Sequence, residues 1–98
     1  MPIKTFKLRP KAEDDLVKIY QYSVQEWGDV RAEEYLRDIN SSFMLLVTNP
    51  MLGRDCNYIR PTLRALNVES HVIFYKPTTY GVAIIRVLFK AMDYQRHF

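Results

Sequence analysis

This 98-residue sequence predicts an α+β fold: an N-terminal strand and a two-helix antiparallel hairpin packed on a small twisted antiparallel sheet. Three observations predict it. Residues 71–75 and 82–89 are apolar, β-branched runs, separated by Pro77, Thr78, Thr79, Tyr80 and Gly81, a connection suited to a β-hairpin. Between residues 10 and 47, apolar side chains recur every three or four positions and are interrupted once, at Trp27-Gly28-Asp29. Ahead of them, residues 3–8 alternate Ile3, Thr5 and Lys7 with Lys4, Phe6 and Leu8, the period of a strand.

Each element has its own local cause. Pro10 ends the first strand and suits the opening turn of a helix, where its missing N–H is not needed. Ala12, Leu16, Ile19, Tyr20, Ser23 and Trp27 then form one helical stripe, and Glu13, Asp14 and Asp15 sit where the helix dipole favours negative charge. Gly28 can take the left-handed conformation that stops this helix, and Asp29 can cap the next. The second helix is expected over residues 30–47, with Ala32, Tyr35, Leu36, Ile39, Phe43, Leu46 and Val47 on its apolar face and Glu33 four residues before Arg37. Asn49-Pro50 stops it. Residues 51–61 read as a loop and 63–66 as a short strand. In the next strand Val72 and Phe74 face one way, Ile73 and Tyr75 the other. In the last, alternation puts Val82, Ile84, Arg86 and Leu88 opposite Ala83, Ile85, Val87 and Phe89. Apolar residues on both faces mark a central pair of strands, covered by the helices on one side and partly open on the other, where a partner could bind.

Composition sets bounds. The length suits a single domain spanning residues 1–98, and 48% hydrophobic residues with seven tyrosines argue against disorder. The lone Cys56 cannot form an internal disulfide, and no apolar run has the length of a signal peptide or membrane span, so a cytoplasmic protein with no membrane association is expected. A net charge of +3 favours acidic partners, either a nucleic acid or an acidic protein segment. Two histidines and one cysteine supply no zinc ligand set, and neither a Gly-rich phosphate loop nor a Ser-His-Asp arrangement occurs; no cofactor, metal or catalytic residue is expected.

A set of residues spread over nearly the whole chain carries a resemblance. It comprises Ala12, Asp15, Leu16, Ile19 and Tyr22, then Trp27-Gly28, Asn49-Pro50, Gly53, Arg60 and Leu63-Arg64. It continues with His71-Val72-Ile73-Phe74-Tyr75, Ile84-Ile85-Arg86-Val87-Leu88, Met92-Asp93 and Arg96-His97. In this order and spacing they resemble the ParE toxins of bacterial type II toxin–antitoxin modules, within the ParE/RelE superfamily. The resemblance implies a RelE/ParE-like fold and a toxin that inhibits DNA gyrase and replication. It also implies neutralisation by a ParD-like antitoxin, through which alone the toxin reaches DNA. RelE-type relatives share the fold but cut messenger RNA on the ribosome; a third possibility is a protein-interaction module without toxicity.

Two features separate the gyrase and ribonuclease readings. RNA cleavage requires basic groups to activate the 2′-hydroxyl and stabilise the phosphorane. In RelE-type relatives an arginine opens the strand that ends in Tyr75 here, and the matching residue is the apolar Val72. The lysine-rich loops of those relatives also find no match in residues 51–66, where Arg54, Arg60 and Arg64 are the only cations. Against this stand Arg86, Lys90, Arg96 and His97 near the sheet end, and Phe89 where many ParE toxins carry histidine. The gyrase reading therefore carries a condition: no exposed, nucleotide-sized pocket should gather several cations and an imidazole. The candidate contacts for toxicity are Arg64, Arg86, Lys90, Asp93, Arg96 and His97. For Arg86 the structural alternative is a pairing with a carboxylate or carbonyl, and for Arg64 an ion pair with Asp55 or Glu69. Candidate antitoxin contacts are Tyr20, Trp27, Tyr35 and Phe43 on the hairpin and Tyr75 on the sheet. The tail from Asp93 to Phe98 mixes aromatic and basic groups and reads as a contributor to toxicity, against the alternative of a frayed end.

Overall fold

The computed structural model describes residues 3–98. In chain order the elements are β1 (Thr5–Leu8), α1 (Pro10–Trp27), α2 (Asp29–Thr48), β2 (Arg54–Asp55), β3 (Arg64–Val68), β4 (His71–Thr78), β5 (Gly81–Phe89) and a 3-10 turn, Tyr94–His97. The strands form one sheet in the order β1-β5-β4-β3-β2. From β2 to β5 each neighbouring pair is antiparallel, but β1 lies parallel to β5. The sheet is therefore mixed, where the sequence predicts an antiparallel one. A parallel neighbour needs a long connection, and the hairpin with the strands that follow it provides one.

Two glycines make these joins possible. Gly81 opens β5 at φ +136°, directly beside Thr5 of β1, and a Cβ at that position would collide with the Thr5 carbonyl oxygen. Gly28 has φ 86° and ψ 171°, a region open essentially to glycine alone, and it joins the two helices with no further residue between them. Gly28 itself precedes α2, so Asp29 is the first helical residue and makes no side-chain cap. Of the charged pairs on this helix, Arg31–Glu34 closes at 3.5 Å, whereas Glu33 and Arg37 form no ion pair among the described residues.

Each face of the sheet carries its own core. Under the helices, Ala12 and Ile19 of α1 and Tyr35, Ile39, Phe43 and Leu46 of α2 pack on Ile73, Tyr75, Val82, Ile84 and Val87. The opposite face holds Cys56, Leu63, Ala65, Val72, Phe74, Ala83, Ile85 and Leu88. The expected alternation holds along β4 but breaks in β5. Tyr75 pairs with Ile84 while Phe74 pairs with Arg86, so Ile85 is an extra residue. Beyond this bulge Val87 turns to the helix side and Leu88 to the other, the reverse of strict alternation.

The second face is not left open. Ile59 from the loop after β2, together with Tyr94 and Phe98 from the tail, packs over it. Both tail rings meet Phe74 at a centroid separation of 5.0 Å, edge to face. Such pairs contribute about 0.5–1.5 kcal/mol each beyond their buried area. The tail is thus a docked turn, and it covers the side that the sequence left to a partner. No helix among the described residues is long and apolar enough to cross a membrane.

Candidate functional site

At Leu8 the first strand stops, and the chain turns into α1 one residue later. The edge of β5 beyond Ile84 therefore has no strand beside it. Arg9 N–H donates to Ile84 O at 3.0 Å, and farther along the side chain of Asp15 takes over. Its Oδ2 accepts Val87 N–H at 2.9 Å and Arg86 Nε at 2.8 Å, while Oδ1 accepts Arg86 Nη2 at 2.8 Å. The carboxylate substitutes for a missing strand neighbour and holds the guanidinium by a two-pronged fork. Both side chains are largely buried, and the Asp15 bonds hold Arg86 even more firmly protonated than a free guanidinium. The remaining arm, Arg86 Nη1, donates to His97 O at 2.9 Å and ties the tail to the same point.

Two cavities flank this arginine. One, of about 420 Å³, is mostly apolar and runs between Ile19 and Tyr22 of α1 and Val87, Leu88 and Phe89 of β5, with His71 and Met92 in its wall. The His71 ring is buried, with Nδ1 2.6 Å from Tyr35 Oη, and Tyr35 Oη donates to Val68 O at 3.2 Å. This arrangement makes His71 Nδ1–H the donor to tyrosine. Burial holds the His71 pKa below its ordinary value and raises that of Tyr35, so both are neutral near pH 7.

The other cavity, of about 430 Å³, is cationic. Arg9, Lys11, Arg60, Lys76, Arg86 and His97 line it, with Pro10, Ile85 and Phe98 supplying the apolar wall. The condition attached to the gyrase reading is therefore not met as far as the cations go: several converge on one exposed pocket, with His97 in its wall. The reason is topological. The pocket forms where the start of α1, the end of β4, the bulge in β5 and the tail meet, and residues up to 89 positions apart in sequence contribute to it.

The chain matches the family model described as ParE toxin of type II toxin-antitoxin system, parDE, over residues 6–94. The chain belongs to the ParE toxin family. It is 37% identical to Toxin ParE1 of Mycobacterium tuberculosis over 93 residues, covering 94% of this chain and 95% of that one. It is 33% identical to Toxin ParE1 of Caulobacter vibrioides over 95 residues, or 97% and 98% of the two chains. A solved structure described as a chromosomal ParDE TA system from P. aeruginosa matches with a TM-score of 0.75 at 25% identity, over 89% of this chain and 96% of that one. The α+β architecture is thus that of a ParE-family chain.

The residues singled out from the sequence scatter within this ParE fold. Arg86 and His97 come together. Arg64 is elsewhere: its Nε donates to Gly53 O at 2.9 Å and Nη2 to Met51 O at 3.1 Å, so it holds the loop after α2 and makes no ion pair with Asp55 or Glu69. Lys90, Asp93 and Arg96 are exposed and line neither cavity; Arg96 faces Asp93 at 3.6 Å. Three of the residues proposed to meet an antitoxin are core residues. Tyr35 and Tyr75 are fully buried and Phe43 is 2% exposed, because the α2 stripe that carries Tyr35 and Phe43 packs on the sheet face that carries Tyr75. Tyr75 Oη donates to Pro50 O at 2.7 Å and accepts Gly53 N–H at 2.8 Å, which fixes the loop rather than a partner. Tyr20 and Trp27 do reach the surface, at 37% and 46% exposure.

Four cations of the pocket, Arg9, Lys11, Arg60 and Lys76, had no signal as a group in the sequence. Asp15 had one. Of the three acids at the start of α1, it alone falls on the stripe of Ala12 and Ile19, and a carboxylate on a buried face requires a partner.

Proposed function

We propose that this chain is the toxin of a two-component module, acting in the cytoplasm by inhibiting DNA gyrase and so blocking replication, and neutralised by a ParD-like antitoxin. The observation that carries the reading is membership of the ParE family across residues 6–94. The sheet face opposite the helices adds support: Val72, at the position where RelE-type relatives carry arginine, is buried on the face that the tail covers and offers no charge to a phosphate. Tyr20 and Trp27 remain as the surface aromatic anchors for the antitoxin, flanked by the exposed Val17 and Val30. Purified chain should block gyrase supercoiling and accumulate gyrase-dependent double-strand breaks. Induced expression should arrest growth unless the antitoxin is co-expressed. Undiminished supercoiling at a molar excess of the chain would end this reading.

A second reading is favoured by the cationic pocket: ribosome-dependent cleavage of messenger RNA, with His97 at the pocket wall as an acid–base group. Programmed ribosomes decide between them. Site-specific cleavage that disappears in His97→Ala would replace the gyrase reading; intact message would retain it.

A further inference from the structure

We propose that the pocket between the start of α1 and the tail binds the phosphodiester backbone of a nucleic-acid strand directly, without requiring an antitoxin. This departs from the expectation that DNA is reached only through the antitoxin, and it holds whichever target the toxin has.

Charge balance carries the argument. Arg9, Lys11, Arg60 and Lys76 surround the opening, and among the described residues none of them makes an ion pair. No aspartate or glutamate lines the cavity, although the chain has 11 acidic residues to 14 basic ones. The acid that faces Arg86, Asp15, is engaged by Arg86 and Val87. Like charges gathered in a cleft repel one another over about 10 Å at moderate salt, and a concave low-dielectric wall concentrates their field. An anion entering the cleft removes that repulsion.

The shape and the neighbouring groups narrow the anion. The first turn of α1 has no side-chain cap on its amides and points the positive end of its dipole at the same place, an arrangement suited to phosphate. Phe98 and Ile85 give the cavity an apolar wall, and the Arg60 guanidinium lies 5.3 Å from the Phe98 ring centroid. Cations tracking a backbone beside an aromatic ring are the two components of single-strand recognition. A volume of about 430 Å³ takes one nucleotide unit of a strand.

The test is fluorescence anisotropy of an end-labelled single-stranded oligonucleotide, as DNA and as RNA, titrated with the purified chain over a series of salt concentrations. With the cations around the opening meeting the phosphates of the seated nucleotide and of its neighbours along the strand, three or four contacts in all, the logarithm of the affinity should fall with the logarithm of salt at a slope of about −2 to −3. R9Q/K11Q changes only exposed side chains at the helix start; it should weaken binding about tenfold and make the slope shallower by about 1.4. K76Q should act in the same direction. R37Q/R54Q removes the same charge from exposed positions outside the pocket and should leave the slope unchanged, with thermal melts confirming that every variant is folded. The inference is overturned if R37Q/R54Q weakens binding as much as R9Q/K11Q, if neither nucleic acid binds saturably, or if inorganic phosphate displaces the probe at the oligonucleotide's own concentration. Gyrase inhibition is scored separately, so loss of one activity with retention of the other tells the two proposals apart.

Discussion

Replacing Asp15 by asparagine keeps the shape of the side chain and removes its charge. In the native protein this carboxylate accepts three hydrogen bonds, two from Arg86 and one from Val87 N–H, all between 2.8 and 2.9 Å. Asparagine offers one oxygen in place of two and turns an NH2 group toward donors. Arg86 would then keep its charge, at 14% side-chain exposure, without a counterion. Breaking one side of a buried pair costs about 3–5 kcal/mol. The low end applies, because the remaining oxygen still accepts one bond and Arg86 Nη1 keeps His97 O. A loss of about 3 kcal/mol is a large share of the roughly 5–15 kcal/mol typical of a domain, and it corresponds to a Tm lower by about 12–24 °C. Urea unfolding followed by Trp27 fluorescence and circular dichroism reads it as a midpoint lower by about 1–3 M. D93N is the control, since the Asp93–Arg96 pair is exposed and contributes at most about 0.5 kcal/mol. The double variant D15L/R86M removes both charges; it leaves mainly Val87 N–H unpaired and should lose only about 1–3 kcal/mol. If D15N is no more destabilised than D93N, or the double variant loses more than D15N, the assignment of Asp15 as strand surrogate and counterion is wrong.

Tyr75→Phe deletes the hydroxyl between Pro50 O and Gly53 N–H and should cost about 1–3 kcal/mol, seen in the same unfolding assay, with faster amide exchange at Gly53. The depressed pKa of His71 makes stability pH-dependent in one direction: present in full above the unfolded value of about 6.5, and lost as pH falls from there through the folded pKa, because only the unfolded chain binds the proton readily. Thermal melts between pH 5 and 8 should therefore rise in Tm with pH, and His71→Gln should flatten that rise. Phe98→Ala removes one of the two rings on Phe74 and should loosen the tail, with faster exchange from residue 94 onward and a loss of about 1–3 kcal/mol. Deleting residues 94–98 should abolish growth arrest while antitoxin binding largely persists, measured by induction and by co-purification.

What the sequence made legible was periodicity. The stripes of α1 and α2, the stop at Gly28 and the apolar strand pair all follow from spacing of three, four or two residues, and the structure places them within a residue or two of expectation, except that β4 runs three residues farther, to Thr78. Register and return path were not legible. Nothing in Thr5–Leu8 says that it lies beside β5 rather than at another edge, since the information sits in Gly81, which reads locally as a turn residue. The extension of β4 through Pro77 was hidden for a similar reason. Past Tyr75 no β3 residue pairs with it, so a missing N–H on that side breaks no ladder. The stripe of aromatic residues on the hairpin was read as partly a surface for a partner, but Tyr35 and Phe43 on α2 fill the core, and of the four only Tyr20 and Trp27 on α1 reach the surface.

The bulge at Ile85 links the legible and illegible parts of the site. Strict alternation would place Arg86 on the helix face with Val82 and Ile84, pointing a charge into a core made of Tyr35, Ile39 and Phe43. One extra residue shifts the phase, so Val87 fills that position and Arg86 is left at the strand edge that β1 has already vacated. From this edge the guanidinium reaches Asp15 on one side and the His97 carbonyl on the other, and it becomes the wall between an apolar cavity and a cationic one. A bulge is invisible to a reading based on period two, because it adds no unusual residue type. The sequence signal that remains is the pair of charges out of place: an arginine inside a β-branched run and an aspartate on an apolar helical stripe, 71 residues apart, each of which makes sense only in the presence of the other.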